Sequence, residues 1–444
     1  MATTTLSSMR QSLSQNMGDF ESFATTAAGS AAGTSVISTA LLDLPGGGDE
    51  DAFENFYLLV ADSSSDADGE FRRVANYVPN SDNPTLIVER SFSTQVASSI
   101  TVELHRFSPT DKGNVIRQAI RELYPDLYLS VRDETLIVDN IVSNSGFETY
   151  SSGFTGWTEA GSPTVTEETS RVFHGSSAAK VVAGVADGQL TQALDVNLAE
   201  IAGQTVSAKF WAWTDAATQG RVRLDFGSET TSGDYHAGDS QWERLSASDG
   251  VPTDATGVTV ILEAIAGSTV YWDIGYVRVG PKYSYTIPST ILRGPYTVTQ
   301  QFSESDVSGP YYPIPDGGTP TEGRILRLTG MGILSQPTTD SGTTEVGEPQ
   351  TQLIVAYAKM LMYRLMASPT RSAQQNRQTY IDSGRDAAGE VAILKHQMGI
   401  VMPKMGAQRH RQNWHVEVDA NNRFLVFGRT RSGLFNLNVG QVAL

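Results

Sequence analysis

The chain has 444 residues, with 32 Lys and Arg against 49 Asp and Glu, and a formal net charge of −17. Binding driven by phosphate neutralisation needs clustered cations, so this acidity argues against sequence-specific nucleic-acid recognition. The absence of cysteine excludes disulfides, thiol catalysis and Cys-ligated metals, while 39% hydrophobic content with 41 glycines suits a β-rich folded chain of roughly two or three domains.

Met1–Phe20 is polar and lacks the apolar run of a secretory leader. Within Ser7–Phe23 the spacing sets Leu13, Met17 and Phe20 on one face of a predicted amphipathic helix. From Ser35 the period changes to that of strands, predicted at Ser35–Leu42, Phe56–Ala61, Phe71–Tyr77, Thr85–Arg90 and Ile100–His105. Turn clusters such as Pro45-Gly46-Gly47-Gly48 separate them, which predicts a small β-barrel or sandwich. Ile116, Ile120 and Leu123 then recur at helical spacing in Lys112–Tyr124, and Pro125 stops that helix. A first domain, residues 1–140, closes here.

Residues 141–280 alternate in short runs without a convincing helix, which predicts an antiparallel β-sandwich whose first and last strands pair. Val206, Ala208, Phe210 and Ala212 alternate with Lys209, Trp211 and Trp213; after a loop, Val222, Leu224 and Phe226 alternate with Arg221, Arg223 and Asp225. As an antiparallel pair, these strands set Trp213 opposite Arg221, Trp211 opposite Arg223 and Lys209 opposite Asp225 on the outer face. Sugar C–H faces stack on indoles and hydroxyls pair with a charged rim, so Trp211, Trp213, Arg221, Arg223 and Asp225 are candidate glycan-binding residues. The alternative is that Arg221 and Arg223 cover the indoles by cation–π contact.

Residues 281–444 resume with strands near Thr297–Phe302 and Arg324–Leu328. With the sandwich excised, Leu136-Ile137-Val138 leads towards Tyr283-Ser284-Tyr285, so the sandwich reads as an insertion in a host fold formed by residues 1–140 and 281–444; three serial domains is the alternative. Gln350–Met366 is apolar on nearly all sides, as in a clamped helix. The tract Leu353–Ala367 contains Lys359 and Arg364 and is too short to span a bilayer, so no membrane insertion is expected. Arg371–Met398 carries Ala373, Tyr380, Ala387 and Leu394 seven apart, a seam for either a helical hairpin within the chain or a contact between copies. Trp414–Val418 and Arg423–Phe427 predict a β-hairpin, and Gly433–Leu444 an extended arm.

Asn144-Ser145-Gly146-Phe147-Glu148, Gly156-Trp157 and Tyr271-Trp272-Asp273-Ile274-Gly275-Tyr276-Val277 make the segment 144–280 similar to the jelly-roll carbohydrate-binding modules of xylanases and related glycosidases. That resemblance implies a structural calcium near the pairing of the terminal strands, held by the carboxylate after the opening Gly-Phe, here Glu148, and by one in the closing strand, here Asp273. Calcium takes six to eight oxygens, and the sequence does not mark the remaining donors. The expected fold class is therefore an α+β multidomain chain: a small β-barrel plus helices, an inserted jelly-roll sandwich and a C-terminal helical hairpin.

No catalytic constellation emerges. An EF-hand register on Gly69 would put Ser64 first and Ala75 twelfth, the six histidines show no ligand spacing, and no nucleophile elbow, phosphate loop or dinucleotide fingerprint occurs. The chain is not expected to be an enzyme, and no cofactor beyond calcium is implied.

The flanks carry a second resemblance. The order Met17-Gly18-Asp19-Phe20, Phe56-Tyr57-Leu58-Leu59-Val60, Gly69-Glu70-Phe71-Arg72-Arg73-Val74 and Tyr124-Pro125-Asp126-Leu127-Tyr128, with Leu326-Arg327-Leu328-Thr329-Gly330-Met331-Gly332, resembles virion structural proteins of tailed bacteriophages. The resemblance implies a virion location and partners among portal, adaptor or tail components. It points to a ring-forming neck or head–tail connector protein, a homo-oligomer with its sandwich projecting outward. The alternative is a glycan-binding tail-fibre or capsid decoration protein that meets a host-surface glycan.

Overall fold

The structure, a computed structural model, describes residues 2–282, 284–303, 309–314, 320–371, 374–398, 416–418 and 423–426. The chain forms two compact units, Met1–Leu129 with Ile333–Met402 and Ser130–Gly332 with Pro403–Leu444. These divisions differ from the 140/141 and 280/281 boundaries read from the sequence. The reason is that the strand Leu129–Ile137 joins a sheet with Ile325–Gly332, a long-range pairing that no local pattern marks.

In the first unit, helix α1 (Leu6–Met17) begins where the Thr5 hydroxyl accepts from Ser8 N and ends where Gly18 turns left-handed at φ 65°. The helix expected to reach Phe23 therefore stops at Met17, and Phe20–Ala24 is a strand. That strand edges a six-stranded antiparallel sheet, in spatial order Phe20–Ala24, Thr101–His105, Tyr57–Val60, Phe71–Val78, Thr85–Val88 and Ser35–Ile37. The two edges are tied where Thr26 N donates to Ile37 O and Ala27 bridges Ile37. Val36, Leu58, Val74, Tyr77 and Val102 form the core of this sheet, all fully buried. Helices α2 (Pro109–Glu122), α3 (Gln350–Met366) and α4 (Gln374–Gln397) share a second core with α1, through Met9, Leu13, Ile116, Leu353, Met362, Ala387 and Val391. The seam residue Ala387, with Val391 four further on, is thus spent against helices of its own chain, with Lys359 reaching Glu390 at 3.2 Å; Ala373 lies outside the described residues.

A chain of buried charges, unmarked in the sequence, links α1, α2 and the sheet. Lys112, fully buried, spends its three donors on Asp19 Oδ2 at 2.7 Å, Ser14 Oγ at 2.7 Å and His105 Nδ1 at 3.0 Å. Because Lys112 donates to Nδ1, the neutral His105 ring carries its proton on Nε2, which donates to Glu103 Oε2 at 3.0 Å. Glu103 also accepts from Gln11 and lies 3.6 Å from Arg10, which bonds Asp340. Burial holds both Lys112 and His105 below their ordinary pKa values.

The second unit contains the sandwich. One five-stranded sheet runs Thr164–Glu168, Ala178–Val182, Thr269–Arg278, Thr205–Trp213 and Trp242–Gly250; the other runs Thr230–Ser232, Gly220–Asp225, Thr259–Ala264, Gly188–Ala193 and Thr158–Ala160. Both are antiparallel, and they enclose one apolar core that includes Phe147, Val206, Phe210, Val222, Phe226, Leu262 and Trp272. The opening segment is tied to the closing strand where Ile141 N donates to Val277 O and Gly275 N to Ser145 O. Gly275 is required there, since a Cβ would sit 2.1 Å from the Phe210 ring.

A four-stranded sheet of Tyr311–Pro313, Arg293–Gln301, Ile325–Gly332 and Leu129–Ile137 adjoins the sandwich in this unit. Ile137 and Ile325 pack against Ile274 and Tyr276 on the outer face of the first sandwich sheet. Strands Val416–Val418 and Arg423–Val426 pair antiparallel at the expected hairpin, the second beside Ser284–Thr286. The arm Gly433–Leu444 lies outside the described residues. No helix among the described residues is long and apolar enough to cross a membrane.

Candidate functional site

The two strands expected to pair do not. Thr205–Trp213 lies in the first sandwich sheet between Trp242–Gly250 and Thr269–Arg278, whereas Gly220–Asp225 lies in the second between Thr259–Ala264 and Thr230–Ser232. Trp213 is opposite Trp242 and Tyr271, not Arg221. The inward alternation was legible, but Val206 and Val222 meet across the core rather than side by side. Loop 214–219 crosses between sheets, and a period of two is the same for a hairpin and for a crossing. The five glycan candidates consequently divide between opposite faces of the sandwich.

On the outer face of the second sheet, Arg221 Nε donates to Glu263 Oε1 at 2.5 Å, and Arg223 Nη1 bonds the other oxygen, Oε2. Register explains the convergence, because Arg221 is the cross-strand partner of Glu263 and Arg223 that of Ile261, one pleat further along. Gln189, opposite Glu263 on its other side, donates to Oε2 at 3.3 Å. Tyr235 is partly exposed at 37%, with the Arg221 guanidinium 4.6 Å from its ring centroid. Asp225 stands apart, accepting from Gly227 N and Thr230 Oγ1. Arg221 and Arg223 are thus brought together with Glu263, Gln189 and Tyr235, three residues the sequence reading missed. The signal available was the alternation of Gln189 and Glu263 with core residues in their own strands.

On the outer face of the first sheet, Trp211 stacks on Phe173 with centroids 4.1 Å apart and joins the apolar contact of Ile274 and Tyr276. Trp213 donates from Nε1 to Ser240 O at 2.9 Å and lies under the Arg171 guanidinium, 3.5 Å from its ring. Cation–π cover of an indole does occur here, but from Arg171 rather than from Arg221 or Arg223.

The calcium candidates Glu148 and Asp273 both serve the loop that precedes Ala178–Val182. Asp273 is fully buried; Oδ2 accepts from Phe173 N at 2.6 Å and His174 N at 2.9 Å, and Oδ1 from Ile274 N at 2.6 Å. Burial pushes its carboxyl up to about 7, helped by the Glu148 charge, against the opposing pull of those three amides. Glu148 accepts from Ser176 N at 3.0 Å and packs on Gly175, whose φ of 85° and lack of a side chain let Oε1 approach. Neither carboxylate ion-pairs with a Lys or Arg among the described residues. No third Asp, Glu or His joins them in a metal-holding group among the described residues.

Beside these carboxylates lies a cleft of about 780 Å³ lined by Glu134, Asn144, Glu148, His174, Lys282 and Tyr285, among others. Glu134 accepts from Arg327 Nε at 2.6 Å and Tyr311 OH at 2.8 Å and lies 3.4 Å from His174 Nε2; its hydrogen bond with His174, then that with Arg327, brings it down to about 2.

No family model and no curated protein matches the chain. Among solved structures, the enzymatically active domain of bacteriophage CBA120 tailspike protein 4 is similar at 15% identity and a TM-score of 0.26, covering 32% of this chain and 22% of that one. The C-terminal family 22 carbohydrate-binding module of Clostridium thermocellum Xyn10B is similar at 21% identity and a TM-score of 0.25, covering 35% of this chain and 94% of that one. A xylan-binding domain of Paenibacillus barcinonensis Xyn10C is similar at 14% identity and a TM-score of 0.25, covering 35% and 99% respectively. The chain thus spans about a fifth of the length of the tailspike domain it matches.

Proposed function

We propose that this chain is a non-enzymatic virion protein of a tailed bacteriophage whose sandwich binds a glycan through the outer face of its second sheet. The observation that supports binding is the convergence of Arg221 and Arg223 on one Glu263 carboxylate, flanked by the Gln189 amide and the Tyr235 ring. Glu263 is itself fully buried and serves to fix the two half-buried guanidiniums, whose remaining N–H donors pair with sugar hydroxyls while the Tyr235 ring stacks on a sugar C–H face. This face favours the placement as a tail-fibre or capsid decoration protein. The virion location itself, and a neck or head–tail connector ring with portal, adaptor or tail partners, are supported by the resemblance of the flanking sequence.

A glycan array probed with the full chain tests the reading. Binding that Tyr235→Ala abolishes, without release of reducing sugar, is the expected result; an array blank for the folded wild-type chain would refute it. Mass photometry reads the ring, as a discrete multiple of the 47.8 kDa chain. We also propose that Glu148 and Asp273 hold a calcium ion, whose charge would offset the two carboxylates and fix the loop between Phe173 and Ser177.

A further inference from the structure

The opposite face of the sandwich carries a second polar feature that the proposed glycan face does not use. Cross-strand register aligns Thr166, Lys180, Tyr271, Trp213 and Trp242 in one row across the first sheet. Neighbouring strands are about 4.8 Å apart, so the row makes a line of side chains on adjacent strands. Arg171, from the loop after Thr164–Glu168, lies on this row, its guanidinium 3.5 Å from the Trp213 ring centroid and 4.5 Å from that of Tyr271. Lys180 stands on the far side of Tyr271 with Nζ 5.7 Å from the ring.

Two aromatic rings fix Arg171 in place, yet no described side chain hydrogen-bonds or ion-pairs with its guanidinium. Its guanidinium carries five N–H donors at a half-buried position, with none of them taken by a side chain among the described residues. Glu168, at the end of the strand that carries Thr166, turns its carboxylate to Ser170 N at 2.7 Å, and its charge also acts on Lys180. A rigid guanidinium with free donors is the geometry that takes a planar oxyanion in two parallel hydrogen bonds. Trp242, half-buried and next to Trp213 in the row, packs against Phe173 with ring centroids 5.6 Å apart and closes that end of the aromatic floor.

We propose that Arg171 and Lys180 form an anion-recognising subsite for an acidic polysaccharide, with the sugar carboxylate on the Arg171 fork. This site lies on the sheet opposite Arg221, Arg223 and Tyr235, so it extends the reading of the sandwich as a glycan-binding module and does not depend on the second-sheet face. The aromatic floor does two things: it holds the guanidinium in one orientation before the ligand arrives, and it excludes water from one side of the ion pair.

The probe is polygalacturonate, with dextran sulfate and unmodified dextran as the other arms, each run against the full chain in affinity electrophoresis at low and high salt. Wild-type chain should be retarded by polygalacturonate and not by dextran. Arg171→Gln and Lys180→Gln should each weaken retardation by about tenfold or more, the cost of one charge-assisted hydrogen bond. Arg171→Lys should recover only part, because an ammonium keeps the charge without the fork. Tyr235→Ala should leave this binding intact, so that failure here and failure of the second-sheet face are read separately. Should Arg171→Gln disturb folding, as reported by tryptophan emission, Lys180→Gln on the sheet surface decides. Unaltered binding in both variants, or no retardation of the wild-type chain, overturns the proposal; retardation by dextran sulfate but not polygalacturonate overturns the assignment of a carboxylate sugar.

Discussion

Replacing Asp273 by Asn should remove an inverted pH dependence from the sandwich. Its carboxyl is raised from 3.8 to about 7 in the folded chain by burial and by Glu148. Between those values the folded state holds one more proton than the unfolded state, so the unfolding free energy falls as pH rises, by about 1.4 kcal/mol per unit. Across the interval the loss approaches about 4 kcal/mol, complete near neutrality and absent below pH 4. The sign is opposite to that of Glu134, whose carboxyl is held down at about 2 and whose contribution is present at neutral pH and lost on acidification. Tryptophan emission weights the relevant transition, because five of the six tryptophans, Trp157, Trp211, Trp213, Trp242 and Trp272, belong to the sandwich. Urea unfolding of the full chain at several pH values between 4 and 7, with chelator, should give a wild-type curve that declines relative to Asp273→Asn. Parallel curves would refute the reasoning.

Calcium supplies a linked prediction: if Glu148 and Asp273 hold the ion, millimolar calcium should cancel most of that decline in the wild type and do nothing for Asp273→Asn. In the first unit, Lys112→Met leaves the Asp19 carboxylate buried without its cation and should cost about 3–5 kcal/mol, read by circular dichroism melting, while adding Asp19→Asn should recover much of the loss. Trp211→Ala removes the ring stacked on Phe173 and should destabilise the sandwich by about 2 kcal/mol, less than the 3–5 kcal/mol of a fully buried aromatic. An unchanged melting curve would show that the stack contributes nothing.

What the sequence made legible was whatever depends on local period. Val206, Phe210, Val222 and Phe226 were read as core from alternation alone, and all four are fully buried. The helix at Gln350–Met366 and the hairpin strands at Val416–Val418 and Arg423–Val426 likewise follow from spacing and turn residues. Pairing was not legible, because a strand's period is the same whichever neighbour it meets. That is why Trp211 and Trp213 were set beside Arg221 and Arg223, from which the thickness of the core separates them. Glu263 was missed for a related reason. In Val260-Ile261-Leu262-Glu263-Ala264 it reads as one acid in an apolar run, and only the cross-strand partners Arg221 and Gln189 make it the centre of a polar face. Asp19 is far in sequence from His105 and Lys112, and only tertiary folding brings it within hydrogen-bond distance of Lys112.

Glycan binding by the second-sheet face around Glu263 stands as a proposal. Its most direct measurement is calorimetric titration of the full chain with the sugar selected on the array, comparing wild type with Tyr235→Ala and Arg221→Gln. Saturable binding that each substitution weakens by about tenfold or more, with tryptophan emission unchanged, is the expected result. Wild-type affinity in both folded variants would contradict it.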